Sequence, residues 1–231
     1  MLLRAAVTFA VLATFAAGPA LANPNCPQSC FIGGHATPIC TTDSVAAQEY
    51  RSGTNQIGTG IYDLTQGIIE AAGTNCLQCG TDIAVQTNDD FQLGGTEPGV
   101  PVTFRAELHA RLLFYFYEVT FEPFTESLLI RDAFGNESSV MRIEPCPPTP
   151  TNFERDTTLA LTIVATPGSP FRIHCEASSS GHSHMTGVAY GTLSFAELPP
   201  GAFITSCQGY HQDGPIATRR STWGDLKATY R

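Results

Sequence analysis

The sequence has little charge and almost no lysine. Only 14% of its residues are charged, and 21 acidic residues outweigh 12 basic ones to give a net charge of −9. Lys227 is the sole lysine. A chain this acidic attracts neither the phosphates of nucleic acid nor the headgroups of an anionic membrane. We therefore expect neither as a partner.

Long apolar runs are absent after the first 22 residues. Within those residues, Arg4 precedes an apolar run at 5–17, and Ala20-Leu21-Ala22 forms a small-x-small cleavage site. This pattern is typical of a secretory signal peptide. The run is shorter than the roughly 20 residues that a membrane-spanning helix needs. The sequence predicts a signal peptide at 1–22 and an exported bacterial chain with no integral membrane segment, which is secreted, periplasmic or at the cell surface.

Catalytic signatures are also lacking. The sequence contains no G-x-S-x-G, H-E-x-x-H, S-x-x-K or phosphate-loop motif. Carboxylates are plentiful, but none is marked out as an acid–base pair. We predict no catalytic residue and no cofactor, and a secreted hydrolase is only a remote alternative.

Helical periodicity is missing from the central part of the chain, where apolar residues recur at every second position. Val102, Phe104, Ala106, Leu108, Ala110 and Leu112 alternate with polar residues. The same alternation recurs at 159–165 and 171–177, and Gly or Pro turns separate the segments at 94–95, 98–99, 167–168 and 199–201. Such spacing predicts an antiparallel β-sandwich with jelly-roll-like character.

Four segments follow from these patterns. Residues 1–22 form the signal peptide, and residues 23–44 are an irregular, cysteine-rich lead-in. Residues 45–210 form the sandwich, with strands at 44–51 and, less clearly, 60–72, which also fits a short helix. Residues 211–231 form a linker and a short basic tail.

Eight cysteines predict disulfide bonds in an exported chain. They are Cys26, Cys30, Cys40, Cys76, Cys79, Cys146, Cys175 and Cys207. Eight cysteines allow 105 pairings. A bridge between Cys175 and Cys207 is the favoured single pairing, because both lie in alternating strands. The spacing of Cys76 and Cys79 also suits zinc, with Cys26 and Cys30 completing the set, or a redox pair, but disulfides are favoured over both.

Histidines suggest a possible metal site. His182 and His184 are spaced so that both imidazoles point the same way from an extended segment, and His174 lies on the wet face of the preceding strand, near Glu176. The alternative, which we favour, is a polar hairpin loop that happens to contain histidine.

Two further groups are candidate ligand sites. Tyr115 and Tyr117 would form an aromatic platform for carbohydrate if they continue the wet face of their strand; burial of the strand on both faces is the favoured alternative. Asn88, Asp89 and Asp90 supply oxygen ligands that suit Ca²⁺, although a solvated turn before a strand is favoured there.

Several motifs carry a resemblance to a protein family. These are DDFQLGG at 89–95, GVPVTF at 99–104, TLSF at 192–195, LPPGA at 198–202 and TSCQGY at 205–210. With them, the chain resembles the β-sandwich ectodomains of exported bacterial proteins of the PEP-CTERM type, without the PEP-CTERM anchor. The endings TWGDLK at 222–227 and YR at 230–231 are similar to C-terminal signatures of other exported bacterial proteins.

The resemblance implies an exported sandwich with no catalytic residues to transfer. Our first functional hypothesis is therefore a non-catalytic structural, surface or adhesive protein with extracellular glycan or protein partners. The alternative is a secreted carbohydrate- or metal-binding module. The basic tail is interpreted as a sorting or docking signal.

Overall fold

The structure is a computed structural model that describes residues 25–33, 37–51, 57–74, 81–116, 124–144, 152–181 and 185–215. The predicted signal peptide, Cys76, Cys79, Cys146, Tyr117, His182, His184 and the basic tail lie outside these residues. The described residues contain no helix, and hence no helix with the length and apolar character needed to cross a membrane.

Fourteen β-strands make up the described chain. They are β1 (Ser29–Gly33), β2 (Ile39–Thr41), β3 (Val45–Arg51), β4 (Ile57–Asp63), β5 (Ile68–Thr74), β6 (Thr81–Gly94), β7 (Val102–Phe116), β8 (Phe124–Asp132), β9 (Glu137–Glu144), β10 (Asn152–Ala165), β11 (Pro170–Gly181), β12 (Met185–Ala196), β13 (Phe203–Ser206) and β14 (His211–Asp213).

The strands form two antiparallel sheets that pack face to face, which confirms the predicted β-sandwich. The eight-stranded sheet has the order β14-β13-β6-β11-β8-β9, with β1 paired to β6 and β2 paired to β1. The six-stranded sheet has the order β10-β7-β12-β5-β4-β3. Alternating residues of both sheets meet in one core, as the period of two requires.

Strand β7 shows how the sequence pattern produces this core. Each apolar residue of its alternating series from Phe104 to Phe114 is at most 2% exposed, because β7 lies between β10 and β12. The predicted turns are also confirmed. Gly95, Gly99, Gly168 and Gly201 have φ between 74° and 83°, a region that glycine enters at little cost.

The structure corrects three predicted boundaries. The lead-in is not irregular throughout, because β1 and β2 form there and β1 pairs with β6. The segment 60–72 is neither one strand nor a helix. It is a hairpin of β4 and β5, in which the Asp63 carboxylate accepts the N–H groups of Thr65 and Gln66 at 3.0 and 3.2 Å. At the other end, His211–Asp213 belong to the sheet as β14 rather than to a linker.

Gly60 allows the lead-in to pack closely on the six-stranded sheet. A Cβ atom at this position would lie 2.6 Å from Val85 Cγ2 and 2.7 Å from Phe31 Cδ1, in the opposite sheet. Phe31 belongs to β1 and stacks on Tyr62, with ring centroids 5.2 Å apart. The absence of a side chain at Gly60 therefore fixes the distance at which β1 can join the core.

Gly60→Ala is expected to lower the free energy of unfolding by about 2 kcal/mol, because the added methyl group overpacks this contact. Gly58→Ala is the matched control. It lies on the same face of β4, and its Cβ would meet only Ile83, at an ordinary 3.4 Å. Urea denaturation of both variants measures the difference; equal losses would contradict the packing argument.

Candidate functional site

The predicted metal histidine forms a hydrogen-bonded cluster with its neighbours. His174 and Glu176 lie on the outer face of β11, since Ile173 and Cys175 point into the core. His174 Nδ1 is 3.1 Å from Asn88 Oδ1, and its Nε2 is 3.8 Å from Glu176 Oε2. The hydrogen bond with His174 and a second one from Gln86 Nε2, at 2.9 Å, lower the pKa of Glu176. Asn88 thus provides a partner for Nδ1 of His174, whereas Nε2 is buried with only the more distant Glu176 carboxylate facing it.

A three-histidine site receives no support from the described residues. They contain no group of three His, Cys, Asp or Glu side chains close enough to hold a metal ion. His174 lies seven residues before β11 ends at Gly181, roughly 23 Å along an extended strand. Its two predicted partners, His182 and His184, lie outside the described residues, so that part of the hypothesis stays a prediction.

The disulfide pattern differs from the favoured pairing. Cys26 is bonded to Cys207, and Cys30 is bonded to Cys40. The predicted Cys175–Cys207 bridge is therefore wrong, as is the zinc set that used Cys26 and Cys30. The general prediction of disulfides in the lead-in is confirmed.

Cys175 is the free cysteine of the described chain. Its side chain points between the sheets, as its alternation predicted, whereas Cys207 follows β13 at the edge of the core. Burial raises the pKa of the Cys175 thiol to about 12. The thiolate, which is the nucleophilic form, is thus not available near neutral pH.

The Asn88-Asp89-Asp90 segment is neither a turn nor a cation site. It lies in the middle of β6, so the three side chains alternate between the two faces. Asp90 accepts two hydrogen bonds from Arg172, at 2.7 and 2.9 Å. Asp89 points into the core and is 3% exposed. The oxygens therefore do not converge.

Asp89 is an acid buried between the sheets. Its Oδ1 accepts the N–H of Gln208 at 3.2 Å. Burial raises the pKa of Asp89 to about 7, although hydrogen bonds from Ser206 and from the backbone of Gln208 and Asp90 oppose the rise. Asp89 thereby holds the turn that contains Cys207 against the core.

Glu126 is another buried acid, and the sequence analysis missed it. It is 0% exposed on β8, directly opposite Ser179 of β11. Burial raises the pKa of Glu126 well above its usual range, and the Ser179 hydroxyl opposes this only in part. The parity of Leu128 and Ile130 would have placed Glu126 inward. An acid this deeply buried is closed to a substrate that approaches from solution.

The predicted Tyr115–Tyr117 platform is largely outside the described chain. The backbone of Tyr115 lies in β7, paired with Asn152 on one side and Thr186 on the other. Its side chain and the whole of Tyr117 lie outside the described part, so this site stays a prediction.

A shallow depression lies elsewhere on the six-stranded sheet. It has a volume of about 420 Å³ on the outer face, where β10, β7 and β12 run side by side. Six of its lining residues are polar or aromatic and come from outward positions of the three strands: Asp156, Thr158, His109, Arg111, Tyr190 and Thr192.

Tyr190 is the aromatic residue of this depression. It stands opposite Arg111 on one side and Glu70 on the other. Thr192 Oγ1 donates a hydrogen bond to Tyr190 Oη at 3.1 Å. Sequence reasoning missed Tyr190, although its parity with Thr192 and Ser194 on β12 marks it as outward-facing.

Side-chain contacts hold the polar groups around Tyr190 in place. His109 contacts Thr158 Oγ1 through Nδ1 and Ser194 Oγ through Nε2, each at 3.2 Å. Arg111 forms an ion pair with Glu154 and lies 3.7 Å from Asp156 Oδ1. The depression thus presents one aromatic ring among oriented hydrogen-bonding groups, an arrangement suited to a polar ligand.

Comparison with known proteins assigns no family. No protein-family profile and no curated protein sequence matches the chain. Among solved structures, the enzymatically active domain of bacteriophage CBA120 tailspike protein 4 gives a TM-score of 0.24 at 15% identity. The match covers 77% of this chain and 20% of the tailspike chain, so this protein spans about a fifth of that chain's length.

Proposed function

We propose that this chain is an exported bacterial β-sandwich of the kind found in PEP-CTERM-type ectodomains, and that it acts at the cell surface or outside the cell as a structural or adhesive protein. The observation that carries the proposal is the position of the two described acids whose pKa values are raised most. Asp89 and Glu126 are 3% and 0% exposed, whereas catalytic acids with shifted pKa values lie in clefts that substrates can enter. The two disulfides support an oxidising compartment.

Expression of the full chain in a Gram-negative bacterium tests this proposal. We expect a mature protein that starts at Asn23 and lies outside the cytoplasm, with Cys26–Cys207 and Cys30–Cys40 found by peptide mapping under non-reducing conditions. We also expect no turnover in a broad panel of glycoside, ester and peptide substrates. Retention in the cytoplasm with reduced cysteines would refute export, and reproducible turnover would refute the non-catalytic role.

The depression around Tyr190 favours carbohydrate binding as a second candidate function. A sugar ring has apolar C–H faces that stack on an aromatic ring, and hydroxyl groups that pair with side chains such as those of Arg111 and Asp156. This candidate keeps the earlier hypothesis of a carbohydrate-binding module but moves its site from Tyr115 and Tyr117 to Tyr190.

A glycan array with the exported chain tests this second candidate. We expect Tyr190→Ala to weaken binding of any glycan hit at least tenfold, about 1.4 kcal/mol, while Tyr190→Phe keeps most of the affinity because the ring remains. Thr59→Ala, on the same face two strands away, is the matched control. The absence of any glycan hit, or a hit that Tyr190→Ala leaves unchanged, would remove this candidate.

A further inference from the structure

Strand β10 forms an open edge of the six-stranded sheet. It pairs with β7 through an unbroken register from Asn152↔Tyr115 to Ala165↔Val102, and no described strand pairs with its other side. About half of the N–H and C=O groups along its 14 residues therefore point away from the sheet. A row of such groups is a template for another strand.

The last nine residues of β10 lack the usual protection of an edge strand. Residues 157–165 read TTLALTIVA, with no charged residue, no proline and no glycine. Their register with β7 contains no bulge. Sheet edges are normally protected by charges, proline, bulges or short length.

The other described edge strands do have such protection. Strands β2 and β14 contain three residues each. Strand β3 carries Glu49 and Arg51, and strand β9 carries Glu137, Arg142 and Glu144. The unprotected half of β10 is thus a local feature and not a general property of the fold.

Exposed apolar side chains lie next to this open edge. A groove of about 590 Å³ runs between the end of β10, the turn that joins β8 to β9, and the start of β11. Phe134, in that turn, is 90% exposed, and Val164 on β10 is 62% exposed. Val164 lies on the edge strand itself, so a further strand there would remove part of its apolar surface from water, which favours the addition of a strand.

We infer that this edge pairs with β10 of a second copy of the chain, antiparallel across a two-fold axis at Leu161. In that register Leu159 faces Ile163 of the second copy on the core side, and Thr158 faces Val164 on the outer side. The two six-stranded sheets become one continuous sheet of twelve strands. A two-fold arrangement of this kind closes and leaves no further open copy of the same edge.

Charge excludes the registers that are centred near the start of β10, and a second copy offers the same uncharged stretch at 157–165. Moving the axis to Arg155 would place Glu154 of each copy opposite Asp156 of the other, and like charges in facing positions destabilise a strand pair. With the axis at Leu161, no charged residue faces another. Since the whole chain carries a net charge of −9, association is most favourable where the surface is uncharged.

This inference goes beyond the proposed function and does not depend on it. The experiment measures the mass of the exported chain by sedimentation equilibrium over a range of concentrations. We expect the wild type to form a dimer at micromolar concentrations. The double variant Ala160→Lys/Thr162→Lys, in which lysines face lysines across the axis, is expected to dimerise about 100-fold more weakly.

Mixing charge variants tests the register. The variant Ala160→Glu/Thr162→Glu is expected to be monomeric alone and to form a one-to-one heterodimer with the lysine variant, because each glutamate then faces a lysine. The control Ala47→Lys/Thr59→Lys adds the same charge on β3 and β4, at the far side of the sheet, and should leave the dimer intact.

Three results would overturn the inference. They are a wild type that stays monomeric at millimolar concentration, a dimer that the β10 charges do not weaken, and a pair of opposite-charge variants that do not combine. A monomer that instead takes up an extended peptide along β10 would also refute it, because the occupant would then be a different protein.

Discussion

The free energy of unfolding of Asp89→Asn, measured relative to the wild type, is expected to be about 4 kcal/mol higher at pH 8 than at pH 4. The folded-state pKa of about 7 lies above the unfolded value of 3.8, because burial disfavours the charged carboxylate. The folded state therefore binds more protons than the unfolded state between these two pH values, and the wild type loses stability as the pH rises through this window. Asparagine does not titrate, so the variant escapes this loss.

The measurement is urea denaturation of both proteins at pH 4, 6 and 8. Asparagine keeps an amide oxygen that can accept the N–H of Gln208, so the turn that Asp89 holds should stay in place. Asp90→Asn is the matched control. Asp90 is more accessible on the opposite face and pairs with Arg172, so we expect a loss below about 1 kcal/mol from this partly exposed ion pair. A constant difference between Asp89→Asn and wild type at all three pH values would contradict the argument.

Regular alternation made most of the sandwich predictable. In β7, β10 and β11 the side chains are sorted between core and water by residue parity alone, so period two identifies both the strand and its buried face. The turn glycines could be predicted equally well. Few other residue types adopt the left-handed backbone conformation that the structure has at Gly95, Gly99, Gly168 and Gly201.

The sequence analysis did not predict that Asp89 and Glu126 face the core, although the alternation in their strands indicates it. The sequence analysis favours a solvated turn at Asp89, as the alternative to a Ca²⁺ site, whereas the structure places this residue in the middle of β6. Its parity with Phe91 and Leu93, both 2% exposed, already placed it inward. Glu126 has the same parity as Leu128 and Ile130, so for both acids the position in the strand indicates the buried side.

The disulfide map could not be predicted, because it depends on where the lead-in runs in three dimensions. Strand β1 joins the edge of β6 at Val85 and Gln86, next to the segment of β6 that pairs with β13. That placement brings Cys26 to Cys207 across a sequence separation of 181 residues. No local sequence pattern indicates that Cys26 and Cys207 are close in space, whereas Cys30 and Cys40 face each other within one hairpin.

Removal of the Cys26–Cys207 bond is expected to be among the most damaging changes to the folded protein. In the chain-entropy description, a cross-link stabilises more when it closes a longer loop. For a separation of 181 residues the loss is about 5 kcal/mol, against about 3 kcal/mol for the 10-residue separation of Cys30 and Cys40.

Non-covalent contacts of the lead-in support this order. Gln208 Nε2 donates to the carbonyl of Pro27 at 3.1 Å, and Asn88 Nδ2 donates to the carbonyl of Gln28 at 3.2 Å. Both contacts depend on the lead-in staying against the turn that contains Cys207. Loss of the disulfide therefore also weakens these two hydrogen bonds.

The double variants Cys26→Ser/Cys207→Ser and Cys30→Ser/Cys40→Ser provide the comparison, since replacing both partners leaves no new free thiol. Urea denaturation without reductant should give the lower midpoint for the first variant, and limited proteolysis should cut it first near its N-terminus. Equal midpoints, or a lower midpoint for the second variant, would show that the long-range bond does not hold the lead-in on the sandwich. That result would leave the packing of Phe31 against Gly60 and Tyr62 as its main attachment.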